Sequence, residues 1–156
     1  DLEIALQIID KYPNNIIYKK FLPNEEVLNL FKNTHIGLLP TYADTYGYSV
    51  LEAQSYGCPV ITTNIRALPE INDSDLGWVI NVKKDEMGNA ILNTEKDIKT
   101  FSDNLINELE ELFCSILNNS ESVINKGLKS YEKLEKSITY NTEFLEKTYD
   151  EITESN

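Results

Sequence analysis

Two carboxylates and a glycine carry the most chemistry in this chain. Asp44 and Glu52 stand eight positions apart, and Asp44-Thr45-Tyr46-Gly47-Tyr48-Ser49 runs straight into Val50-Leu51-Glu52-Ala53. The apolar runs Ile36-Gly37-Leu38-Leu39-Pro40 before and Pro59-Val60-Ile61-Thr62 after read as strands. The segment therefore predicts strand, loop, helix, strand, with the helix opening near Ser49 and ending at Tyr56-Gly57, where glycine supplies the cap. Gly47 lets the backbone turn tightly or lie against a ligand. Asp44 sits in the loop and Glu52 on the second helical turn, so both can face a ligand lying across the helix N-terminus. Unpaired N–H groups and the positive dipole end at that point suit a phosphate.

Little else in the chain competes for a chemical role. No His/Cys cluster has metal-ligand spacing, and no Ser/His/Asp set is visible. His35, on an expected buried strand, reads as a satisfied core histidine. Cys58 precedes a proline in a tight helix–strand turn and reads as packing, and Arg66, the only arginine, reads as a surface residue. Cys58 and Cys114 suggest no disulfide framework, which favours a reducing cytoplasm. Taken singly, Glu52 would be a solvated helix residue and Asp44 a plain turn residue; their offset from each other and from Gly47 favours a site.

The positioning elements follow from periodicity. Asp1 to Lys11 reads as a helix broken by Pro13-Asn14-Asn15, and Ile16-Ile17-Tyr18 as a short buried strand. A helix with Val27, Leu28, Leu30 and Phe31 inward comes next, with Asn24 as N-cap and Glu25 and Glu26 in its first turn. His35 to Leu39 is apolar along its length, as parallel-sheet strands are. Beyond Thr62 come a helical turn at Leu68 to Ile71, a strand at Trp78 to Val82, and a polar surface loop from Lys83 to Asp97. Phe101, Leu105, Leu109, Leu112, Phe113, Ile116 and Leu117 mark one amphipathic helix. Ile124, Leu128, Tyr131 and Leu134 mark a second, and Phe144, Leu145, Thr148 and Ile152 a third. Alternating strands and helices predict an α/β domain with a parallel, Rossmann-like sheet followed by C-terminal helices, divided as 1–99 and 100–156. Ligands of such sheets sit at the carboxyl ends of the strands, where Thr41 to Tyr48 lies.

The 156 residues suit a sizeable core, and no apolar run approaches a membrane span. A net charge of −12 argues against nucleic-acid binding. Much of that acid lies from Thr100 onward, 12 acidic against 5 basic side chains, which spares the loop. The chain starts at Asp1-Leu2 without an initiator Met and predicts a piece of a longer protein.

The stretch resembles the donor-binding motif of the retaining GT-B glycosyltransferases, in the C-terminal domain of the group 1, family 4 type. The landmarks are Pro40-Thr41, Asp44-Thr45-Tyr46-Gly47, Leu51-Glu52-Ala53, Gly57-Cys58-Pro59-Val60-Ile61 and Pro69-Glu70, in order between Asn15 and Ile80. The resemblance implies the C-terminal half of a GT-B fold, with its last helix crossing toward a missing N-terminal acceptor-binding domain. It implies a nucleotide-diphosphate sugar as donor, no cofactor and no obligatory metal. By the same resemblance Asp44 is the catalytic candidate, holding hydroxyls of the donor sugar. The amides of Tyr46 and Gly47 would meet that sugar, and those of Tyr48 and Ser49 the distal phosphate. Glu52 would bind the ribose, and Leu22 would lie beside the base. Gly47→Val is expected to abolish donor binding and leave the fold largely intact. Peripheral membrane contact would come through the absent domain.

The chain also departs from the family's pattern. Asp44 is one methylene shorter than the usual Glu, Thr45 replaces a common Gly, Lys20 stands where Gly is frequent, and Arg66-Ala67 stands where Gly-Gly is frequent. The family's phosphate-binding Arg and Lys have no counterpart in these residues. The expected function is the donor-binding part of a sugar transferase serving cell-surface polysaccharide. The alternative is a non-catalytic nucleotide-sugar-binding module, and an epimerase of the same fold is weaker.

Overall fold

A computed structural model describes residues 2–154, with side chains through Lys147. The chain folds as α1 (Leu2–Lys11), α2 (Asn24–Phe31), β1 (Gly37–Leu39), α3 (Tyr48–Gln54), β2 (Val60–Thr63), α4 (Leu68–Ile71), β3 (Trp78–Ile80), α5 (Glu95–Asn118) and α6 (Glu121–Glu154). The strands form one sheet in the order β1-β2-β3, both pairings parallel. Parallel neighbours need a crossover; α3 supplies the first and α4 the second. The expected α/β architecture with a parallel sheet and C-terminal helices is the one observed.

The core gathers on β2, whose four residues are all buried. Ile61, Ile65, Leu68 and Ile80 are its largest fully buried apolar side chains, and Phe101, Leu105, Leu109 and Leu112 of α5 pack against it. Asn72 is as important as any of these. Its buried amide donates to the Val60 carbonyl and the Thr62 hydroxyl, each at 3.0 Å, and to the Trp78 carbonyl at 3.3 Å. That one side chain ties the end of α4 to β2 and to the start of β3.

Several expectations need correction. Ile16-Ile17-Tyr18 is not a strand: among the described residues no strand lies beside it to bond with, and Ile17 is 84% exposed. Helix α1 forms, but none of its residues is buried. Asn24 is the first residue of α2 rather than its cap. Pro23 takes the cap position in an extended conformation, and its carbonyl accepts from the Glu26 and Val27 amides. His35 is exposed, because β1 begins only at Gly37 and is a sheet edge; Leu38, on the same short strand, is 53% exposed.

The loop from Lys83 is more ordered than its composition suggested. An antiparallel bridge joins Lys84 and Ala90, and the Asp85 carboxylate closes the turn by accepting from the Met87 and Asn89 amides. The Asn89 side-chain amide, and after it these backbone bonds, hold the Asp85 carboxyl below the usual carboxylate range. Helix α5 starts at Glu95 behind a reciprocal Thr94–Asp97 capping box.

The second and third C-terminal helices are one. Helix α6 is continuous over 34 residues. Nothing between Leu134 and Phe144 breaks it, since that segment lacks Gly and Pro. Thr139 and Thr142 turn their hydroxyls back onto the carbonyls of Glu135 and Ile138 instead of competing for the helix amides. Thr148 and Ile152, expected on the third helix, lie on this one with side chains outside the described residues. The helix reaches the body of the protein through a bare backbone crossing. A Cβ on Gly127 would stand 2.3 Å from the Gly57 carbonyl oxygen, so only glycine lets α6 lie across the end of α3.

Candidate donor-binding loop

The loop between β1 and α3 is built from short polar bridges. The Thr41 hydroxyl donates to the Ala43 carbonyl at 2.7 Å and accepts from its amide at 3.1 Å. Thr63, at the carboxyl end of β2, donates its hydroxyl to the Thr41 carbonyl. This bond anchors the loop over the carboxyl edge of the sheet, where ligands of parallel sheets bind. The half-buried Asp44 then folds back, and its Oδ1 accepts from the Tyr46 amide at 3.0 Å. That is an Asx turn, a role short aspartate fills where the longer glutamate would not. The Tyr46 amide, expected to face the sugar, is thus engaged within the loop, while Asp44 keeps its second carboxylate oxygen.

Gly47 caps α3 in the left-handed region, with φ 81° and ψ 42°. Its carbonyl accepts from the Val50 amide at 2.9 Å, which leaves the Tyr48 and Ser49 amides as the first helical donors with no intrahelical acceptor. The left-handed turn is the one expected of glycine, but the expectation that Gly47→Val would leave the fold largely intact needs correction. A Cβ at this position would stand 2.6 Å from Leu68 Cδ2 and 2.9 Å from Ile71 Cδ1. Gly47 is buried against α4, so a branched residue here would disturb the fold and not the ligand alone.

Helix α3 turns Val50, Ala53 and Gln54 into the core. Gln54 donates to the Ile71 carbonyl at 3.0 Å, a second clamp between α3 and α4. Glu52 falls on another face, half-buried, one turn in from the open amides. Tyr46 and Tyr48 pair their rings at 5.1 Å, tilted by 44°, on the outside of the loop. Leu22 is half-buried two residues ahead of α2, and α2 packs on α3. So the loop collects Asp44, Tyr46, Gly47, Tyr48 and Ser49 in one turn and Glu52 beside it, while Leu22 is tied to them through α2. Between Lys32 and Arg66 the sequence holds no cation. Lys32 is drawn to Asn29 and lies over the Tyr56 ring, and Arg66 sits beneath the 84–90 turn, its amide bonded to the Gly88 carbonyl.

The sequence model of the family described as Glycosyl transferases group 1 matches residues 7–111. The chain belongs to this family. Among its relatives is an uncharacterized 41.2 kDa protein in the cps region of Klebsiella pneumoniae, 35% identical over 68 residues. That match covers 43% of this chain and 19% of the relative. The O-antigen chain mannosyltransferase B of Escherichia coli is 32% identical over 56 residues, 36% of this chain and 15% of that protein. The matched segments thus span less than a fifth of either relative.

Within this glycosyl transferases group 1 chain, the supports of the loop are the residues that sequence reasoning missed. Thr63 and Asn72 do not touch the open amides, yet they hold the loop and α4 in place. A threonine at the end of an all-buried strand was a readable signal for Thr63; nothing local pointed to Asn72. Among the described residues no three His, Cys, Asp or Glu side chains gather as a metal would need, and no helix is long and apolar enough to cross a membrane.

Proposed function

We propose that the chain is the donor-binding part of a glycosyltransferase that moves a sugar from a nucleotide-sugar to a glycan, lipid or protein acceptor with retention of configuration. One observation carries the reading. In a member of this family, the loop at the carboxyl edge of a parallel sheet presents the open Tyr48 and Ser49 amides, with Asp44 before them and Glu52 one turn behind. In this reading the distal phosphate takes those two amides. The donor sugar takes the Gly47 amide and the free oxygen of Asp44, and the ribose hydroxyls donate to Glu52. Charge growing on the departing nucleotide is then met by oriented amides that need no reorganisation. The reading calls for no cofactor beyond the donor, for an N-terminal acceptor-binding domain as partner, and for work in the cytoplasm. The relatives' names, from a cps region and an O-antigen chain, support cell-surface polysaccharide as the product.

A second reading, a nucleotide-sugar-binding module without turnover, draws on the Asx turn that already engages one oxygen of Asp44 and on the absence of any Lys or Arg between Lys32 and Arg66 in the sequence. Calorimetric titration of the full-length protein with nucleoside diphosphate and with sugar nucleotide tests the assignments. Glu52→Gln should weaken both ligands by about 1–3 kcal/mol, the worth of charge-assisted bonds. Asp44→Asn keeps the turn, because asparagine offers the same acceptor, and should weaken the sugar nucleotide only. Unchanged nucleoside diphosphate binding in Glu52→Gln would remove the ribose assignment. Binding without any sugar transfer in the wild-type protein would favour the module.

A further inference from the structure

Behind the donor loop lies a cavity of about 340 Å³. Tyr46 forms one wall, Glu70 of α4 another, and Lys133, Ser137 and Asn141 of α6 line the far side. Its floor is apolar, from Leu51 and Ile71 among others. Tyr46 is the one donor-loop residue in the lining, so the cavity adjoins the proposed phosphate site without overlapping the Tyr48 and Ser49 amides. Along α6 it continues into a second hollow of about 470 Å³, which shares Lys133, Ser137 and Asn141.

The polar groups there define what would fit. Glu70, Ser137 and Asn141 form no side-chain hydrogen bond or ion pair with other described residues, so a carboxylate, a hydroxyl and an amide converge on the space unengaged. Lys133 is partnered, 3.6 Å from an Asp73 carboxylate oxygen, and the neighbouring Lys129 holds Asp75 at 2.9 Å. With Lys133, the one cation in its lining, matched by Asp73 and a free carboxylate in the wall, the cavity does not suit a phosphate. An apolar floor, an exposed aromatic ring and mixed donors and acceptors suit a neutral ring with many hydroxyls. The volume is at the small end of ligand sites and takes one or two such rings.

We propose that this cavity is a carbohydrate subsite, holding the end of a glycan acceptor next to the donor sugar. The inference rests on the transferase reading above and adds to it a place for acceptor saccharide on this chain. The C–H face of a sugar ring lies on Tyr46, Glu70 accepts from its hydroxyls, and Asn141 both donates and accepts. The hollow along α6 takes the preceding residue of the glycan.

The test uses the full-length protein and saturation-transfer NMR with methyl α-mannoside, methyl α-glucoside and methyl β-galactoside, alongside nucleoside diphosphate titration. Wild type should transfer saturation to at least one of the three. Glu70→Gln and Asn141→Ala, both at exposed positions, should each weaken that saccharide about tenfold, the worth of one lost hydrogen bond to a charged or amide partner. Nucleoside diphosphate affinity should stay at the wild-type value in both variants. Absence of saturation transfer from all three saccharides in the wild type, or unchanged saccharide affinity in both variants, overturns the subsite. Loss of nucleoside diphosphate binding in both variants overturns it too, since the residues would then act on the fold. A wild-type protein that binds saccharide but no nucleoside diphosphate would instead remove the transferase reading and leave a sugar-binding cavity.

Discussion

Replacing Gly47 by alanine adds a single methyl group, and the structure gives two separate costs for it. The first is backbone: at φ 81° an L-residue is strained by roughly 1–2 kcal/mol. The second is packing, because the new Cβ would stand 2.6 Å from Leu68 Cδ2, a side chain that is 1% exposed and has nowhere to retreat. Overpacking of that kind costs about 1–3 kcal/mol. Together they predict a loss of roughly 2–5 kcal/mol, a large share of a typical domain's total. Gly57 separates the two terms. It has φ 70°, but an added Cβ there would meet nothing nearer than the Gly127 carbonyl oxygen at 3.7 Å, so Gly57→Ala should show the backbone cost alone. Urea unfolding of both variants, compared at equal m-value, gives the difference. If Gly47→Ala costs no more than Gly57→Ala, Leu68 and Ile71 do not hold the loop, and the account of α3's start is wrong.

Asn72→Leu should destabilise by about 2–4 kcal/mol in the same unfolding assay, since it leaves the buried Val60 carbonyl and the part-buried Trp78 carbonyl short of a partner and takes from the Gln54 amide the second of its two acceptors; a loss under about 1 kcal/mol would deny the residue its bridging role. Burial pushes the Cys58 thiol up to about 11, whereas Cys114 is exposed. A thiol reagent at pH 8 should therefore titrate one cysteine in the native protein and both in denaturant. The raised Cys58 value also fixes a sign: the unfolded thiol ionises first, so stability is full below about pH 9 and falls as pH rises toward 11. Removing the thiol with Cys58→Ala should flatten that alkaline slope.

The strand–loop–helix–strand order around Gly47 was legible because each piece is announced locally, by an apolar run, a glycine or a proline. Helix α4 and the C-terminal amphipathic stripe were legible for the same reason. Ile16-Ile17-Tyr18 has equally good strand composition, but a strand exists only beside another, and that neighbour is not a property of the segment. Gly47 was read as a tight turn or a place for a ligand to approach; the left-handed turn is there, but the packing requirement comes from Leu68 and Ile71, far along the chain, which no window around residue 47 contains. The two separate apolar stripes expected on either side of residues 135–143 lie on one helix, because Thr139 and Thr142 satisfy themselves on the helix's own carbonyls and nothing between the stripes stops it. The carboxylate pair and the open amides came from pattern. The cavity behind Tyr46 did not, since it is formed by three helices that meet only in the folded chain.

The bare crossing of Gly127 over Gly57 makes α6 a lever. Its fulcrum is where two backbones touch with no side chain between them, and Lys126, Lys129 and Lys133 tether it on the same stretch to Ser74, Asp75 and Asp73. From Gly127 to Lys147 the helix runs on for about 30 Å at 1.5 Å per residue, and the element it packs on is α3. A tilt of about 10° at the crossing would carry that end by about 5 Å while hardly moving the loop. The same tilt would open or close the cavity between Tyr46 and Asn141, whose α6 wall lies between the crossing and that end.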